Sequence, residues 1–94
     1  MKFEKINAIA KTSVKKMKSE IESCICIVRE ELEILDKMEI NSEIEFEIFS
    51  NLLSSFAETF YTKYKTTAES EVYFKIAQAF ESVYEDINAY ELHK

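Results

Sequence analysis

The chain has 94 residues, a formal net charge of −6, and neither glycine nor proline. That length carries a single core, and a composition of 47% hydrophobic and 13% aromatic residues excludes a disordered profile. Tight β-turns lean on glycine, Asn-Gly or proline, so a chain lacking Gly and Pro reads as all-α with few, short connections.

The first predicted element is long. Phe3, Ile6, Ala10, Val14, Met17, Ile21, Cys24, Ile25, Val28, Leu32 and Leu35 step by three or four residues without a phase break. The spacing predicts a helix over about 3–38, with Ile9, Ile27, Ile34 and Met38 along a flanking edge. Residues 39–42, Glu-Ile-Asn-Ser, read as the break, and Ser42 with Glu45 forms a capping box. A second helix over about 43–65 carries Phe46, Phe49, Leu53, Phe56, Phe60 and Tyr64 on one face. Its start, EIEFEI, alternates as a strand would, but no second alternating segment offers itself as a partner. Thr66 to Glu69 repeats the capping pattern, and a third helix over about 67–91 follows with Val72, Ile76, Ala79, Phe80, Val83, Ile87 and Tyr90 on one face. The expected architecture is an antiparallel three-helix bundle spanning 1–94, with an over-long first helix.

The helix lengths conflict. At 1.5 Å per residue the first helix reaches about 54 Å and the other two about 36 Å each, so the second covers the first only back to about residue 15. Residues 1–14 then form an arm whose stripe (Phe3, Ile6, Ala10, Val14) needs a cover. Either the chain bends near Thr12 and Ser13 and folds back, or another molecule lies against it; the second reading is preferred.

Charge points the same way. Residues 1–18 hold six lysines (2, 5, 11, 15, 16 and 18) against Glu4, while the remaining 76 residues hold six basic and 17 acidic groups. Lysines near a helix N-terminus oppose its dipole, so Lys11, Lys15, Lys16 and Lys18 call for a negative neighbour. Nucleic acid is disfavoured, since the arm has no arginine for bases and only Phe3 to stack, and the acidic remainder repels a polyanion. A membrane surface suits the arm poorly, with alanine and no tryptophan on its apolar side. An acidic protein surface fits, and residues 30–47 supply one with eight acids and one lysine. Two copies antiparallel along the first helix would place each arm beside the other's acidic end, a self-complementary homodimer. A second exposed feature is Phe74, opposite the third helix's stripe, with Tyr73 and Tyr61 at stripe margins.

Catalytic chemistry finds little support. The one histidine, His93, is next to last, and a glycine-rich phosphate loop is impossible. No catalytic, cofactor or metal residue is assigned: Glu30 and Glu33 point away from the stripe, Glu31 lies at its margin, and Cys24 and Cys26 sit about 200° apart on a helix, unable to bridge. No run approaches the roughly 18 apolar residues of a membrane span, and a cytoplasmic location is the default. The function expected is a non-catalytic helical module that binds and occupies a macromolecular partner, as an inhibitor, antitoxin, immunity or phage anti-defence protein does. Lys-, Ile- and Glu-rich usage fits a bacterial or phage genome. The alternative is a phosphate or nucleotide binder, or an enzyme, whose site forms between subunits around the N-terminal lysines.

Overall fold

The structure, a computed structural model, describes residues 2–66 and 70–92, with only the backbone of Ser70, Glu91 and Leu92. It is all-helical: α1 (Lys2–Glu20), a 3-10 segment (Glu22–Val28), α2 (Arg29–Lys37), α3 (Glu43–Thr66) and α4 (Ser70–Leu92). Among the described residues four α-helices pack together, rather than three. The long first helix is in fact α1 and α2, joined by a bend.

That bend lies at residues 21–28, while Thr12 and Ser13 sit inside an unbroken α1. Ile21 (φ −111°, ψ 23°), Cys24 (−129°, 19°) and Val28 (−117°, 21°) leave the α-helical region, and no described residue has positive φ. Ile21 N–H donates to Met17 O at 3.0 Å and Cys24 N–H to Ile21 O at 2.9 Å, so the helix tightens into 3-10 turns about Cys24. Ile21, Cys24 and Val28 are all buried and spaced by three and four residues. The bend therefore wraps around the apolar stripe and keeps its phase, which is why periodicity alone shows no break.

Folding back resolves the length conflict within one chain. α2 returns beside α1, and α1 packs along α4. The stripe of both halves enters one core: Ile6, Ala10, Val14, Met17, Ile21, Cys24, Val28, Leu32 and Leu35 are buried with Phe46, Phe49, Leu53, Phe60, Ile76, Phe80, Val83 and Ile87. Burial of each large apolar side chain contributes about 1.5–3 kcal/mol. Ile40, in the α2–α3 connection, is fully buried, and its N–H donates to Asn7 Oδ1 at 2.9 Å. The connection is thus pinned onto the N-terminal arm.

The capping motif starts α3 as its sequence implies. Glu45 N–H donates to Ser42 Oγ at 3.3 Å and Phe46 N–H to Ser42 O at 3.0 Å. The Glu45 carboxylate reaches back to Asn41 N–H at 2.9 Å, one residue earlier than the usual pattern. EIEFEI is helical, with Phe46 inside and Ile44 and Ile48 outside. Of the second capping motif, Thr66 to Glu69, Thr66 closes α3 with its Oγ1 donating to Thr62 O at 3.1 Å, while Thr67, Ala68 and Glu69, like His93, lie outside the described residues.

α3 and α4 form the longest hairpin, held by ring contacts: Phe80 lies 5.3 Å from Phe56 and 6.0 Å from Phe60. No described residue between Phe60 and Ile76 is buried. The unsupported length thus falls at the outer end of this hairpin. There the rings brace one another: Tyr73 on Phe60 at 6.0 Å, and Phe74 between Tyr61 at 5.8 Å and Tyr64 at 4.9 Å.

Candidate interaction surface

The residues singled out in the sequence fall into two groups on different elements. In the arm, Ile6, Ala10 and Val14 are buried and Phe3 is half-buried against the core. The chain's own helices cover the stripe.

The lysines find their negative neighbour in the same chain. Lys11 Nζ donates to Asp36 O at 2.8 Å and Met38 O at 2.9 Å, and lies 3.5 Å from Glu39 Oε1. Lys18 Nζ pairs with Asp36 Oδ2 at 2.5 Å, and Asn7 Nδ2 donates to Glu39 Oε2 at 2.8 Å. Lys11 thereby satisfies carbonyls left free where α2 stops, which backbone N–H groups do in a glycine cap, and adds positive charge at the negative end of the helix dipole. A chain without glycine draws that cap from a distant residue. Lys15 and Lys16 stay exposed, with Lys16 4.0 Å from Glu20 one turn on.

The second group, Tyr73 and Phe74, stands at the outer end of the α3–α4 hairpin. Tyr73 is half-buried and Phe74 36% exposed, both engaged with α3 rings. Lys63 Nζ sits 5.0 Å from the centre of the Phe60 ring and 5.8 Å from that of Tyr73, so cations already settle on aromatic faces here.

Beside this end lies a feature the sequence reading missed. A groove of about 530 Å³ runs between α3 and α4, lined by Glu58, Tyr61 and Lys65 on one side and Glu81, Tyr84 and Glu85 on the other. Helical spacing builds it: 58, 61 and 65 step by three and four, and 84 and 85 lie three and four residues after 81. Ala57, small and buried, lets the floor sink between the helices. Tyr61 Oη donates to Glu81 Oε2 at 3.3 Å. Burial first, and then the charge and hydrogen bond of Glu81 and the charge of Glu85, push the Tyr61 hydroxyl above its ordinary pKa. The groove is thus lined by two tyrosines and holds three carboxylates against one lysine. Such a lining suits a guanidinium or ammonium group, which gains ion pairs and ring contacts at once.

The signal for the groove was present in Glu58–Tyr61 and Glu81–Tyr84–Glu85. Each glutamate taken alone reads as solvated exterior. Only the register of the hairpin, set by the Phe60–Phe80 and Tyr61–Glu81 contacts, brings them to one place.

Among the described residues no group of three or more His, Cys, Asp or Glu side chains is arranged to hold a metal ion. Cys24 is buried and Cys26 exposed, both as free thiols. No helix, among the described residues, is long and apolar enough to cross a membrane. Compared with protein-family models, curated proteins and solved structures, the chain gives no match.

Proposed function

We propose that this chain is a non-catalytic binding protein that occupies a basic surface of a macromolecular partner, in the manner of an inhibitor, antitoxin, immunity or anti-defence protein. The observation that carries this reading is the α3–α4 groove, where Tyr61 and Tyr84 stand among Glu58, Glu81 and Glu85. An arginine or lysine entering it leaves water for a site of opposite charge with two rings to lie against. The aromatic end beside it, with Tyr64, Val72 and Phe74 part-exposed, supplies apolar area next to the charged groove. Aromatic anchors bordered by complementary charge are what binding hot spots are made of. The net charge of −6 favours encounter with a basic partner at long range.

The lysine-based small-ligand reading loses part of its material, since Lys11 and Lys18 are engaged with residues 36–39. Capture from extracts of the source organism tests the proposal. Immobilised wild-type protein is expected to retain a basic partner that Glu81→Lys/Glu85→Lys loses by about tenfold or more. Lys15→Glu/Lys16→Glu should retain it unchanged. Equal capture by the groove variant would refute the proposal.

A further inference from the structure

The bend between α1 and α2 is not written into the local sequence. It has no glycine or proline, and neither Ile21 before the 3-10 segment nor Val28 before α2 makes a side-chain capping hydrogen bond. Its outer face is Glu22, Ser23, Cys26 and Ile27, all exposed, and Ile27 is 41% exposed despite its apolar side chain. The apolar stripe meanwhile passes through the bend in phase from Phe3 to Leu35. A straight helix across residues 3–37 would satisfy the same pattern and keep one continuous apolar face.

Beside burial of its apolar stripe, the folded-back form is held by a clasp between α1 and residues 36–40: Lys11 on Asp36 O, Met38 O and Glu39, Lys18 on Asp36, and Asn7 on Glu39 and Ile40. Ser13 Oγ adds a 2.7 Å bond to Asp86 Oδ2 of α4. Every one of these contacts joins α1 to a segment on the far side of the bend. A second copy's α1 can therefore make all of them unchanged.

We infer that the chain forms an arm-exchanged dimer. The bend straightens, α1 of each copy leaves its own bundle, and each α1 docks into the α2–α3–α4 body of the other. Exchange of one identical element is a low-cost route to a dimer, because the closed and exchanged forms share their contacts and differ at the hinge. Here the hinge is the segment whose α-helical bonds straightening would restore. The two long helices then run antiparallel, each basic arm beside the other copy's acidic 36–39 segment. α3 and α4 stay together in each chain, so the dimer carries two α3–α4 grooves and offers a repeated partner two points of attachment.

The test fixes the hinge and then asks which chain each arm belongs to. In a Cys24→Ala/Cys26→Ala background, Ser23→Ala and Ile27→Ala add helix propensity at exposed hinge positions. Sedimentation equilibrium is expected to show the dimerisation constant rise about tenfold over the background. Insertion of three glycines after Ser23, which lets the closed turn form freely, should lower it. Adding Lys18→Cys and Asp36→Cys and joining them with a short bis-maleimide reads the connectivity. Denaturing gels of the dimer fraction should show covalently linked dimers. A dimerisation constant indifferent to both hinge changes would overturn the inference, as would a dimer whose links all lie within single chains.

Discussion

Replacing Lys11 by methionine tests how the N-terminal arm is held. The substitution keeps most of the apolar stem and removes the ammonium group that meets Asp36 O, Met38 O and Glu39. Hydrogen bonds from a charged donor contribute about 1.5–3 kcal/mol each when sheltered. Lys11 is 37% exposed at its side chain, and the Asp36 carbonyl can take water in its place, so the lower end applies there. The Met38 carbonyl is part-buried, and the α2 terminus also loses a favourable dipole interaction of about 0.3–1 kcal/mol. The sum expected is about 3 kcal/mol, or roughly a 15 °C fall in Tm for a domain of this size. Urea unfolding of dilute protein gives the magnitude, and amide exchange gives the place: protection should fall first in α2, near Leu35–Met38. Lys15→Met, at an exposed position on the same helix, should change stability by less than about 0.5 kcal/mol. A Lys11→Met variant indistinguishable from Lys15→Met would refute the capping argument.

Ser13→Ala removes the bond to Asp86 and should cost about 1 kcal/mol by urea unfolding, with Asp86 free to re-solvate. Ser50 is buried on α3 with no hydrogen-bond partner for its hydroxyl among the described residues, so Ser50→Ala should raise Tm or leave it unchanged; a fall of several degrees would show that the hydroxyl is satisfied after all. Tyr61 carries a pKa raised by burial and then by Glu81 and Glu85. Between the ordinary tyrosine value, about 10, and the raised one, the unfolded chain releases a proton that the folded chain keeps. Its contribution to stability is therefore complete below about pH 10 and is lost as pH rises through that window. Ultraviolet titration of the wild type minus that of Tyr61→Phe should show a phenol ionising above its ordinary pKa, and a difference curve centred at the ordinary value would contradict this.

The helical class and most of the core were legible because helical burial repeats every three to four residues. Ile6, Val14, Phe49, Phe60, Phe80 and Ile87 lie where that period puts them, and the absence of glycine and proline left no other class open. The Ser42–Glu45 start of α3 was legible because capping is local. The fold-back at 21–28 was not, because it spends no turn residue and preserves the apolar phase. The competition between a bend and a covering partner was correctly posed from helix lengths, but Thr12 and Ser13 drew the bend because small polar residues resemble a break. Ser13 is polar for another reason: it faces Asp86 across the α1–α4 contact. The acidic segment was legible as a match for the lysines, while whether the match lies within one chain depends on a bend that composition does not mark. The groove needed the α3–α4 register, which rests on contacts some twenty residues apart in sequence, such as Tyr61 with Glu81.

A photo-crosslinking residue installed at Tyr84, inside the α3–α4 groove, and separately at Lys15 on the arm tests the proposed function most directly. Each variant is irradiated in extracts of the source organism, with Glu81→Lys/Glu85→Lys added as a control on the Tyr84 site. The expected result is one basic partner linked through position 84, lost on charge reversal, and not linked through position 15. A partner linked through position 15 but not 84, or through 84 regardless of the charge at 81 and 85, would contradict it.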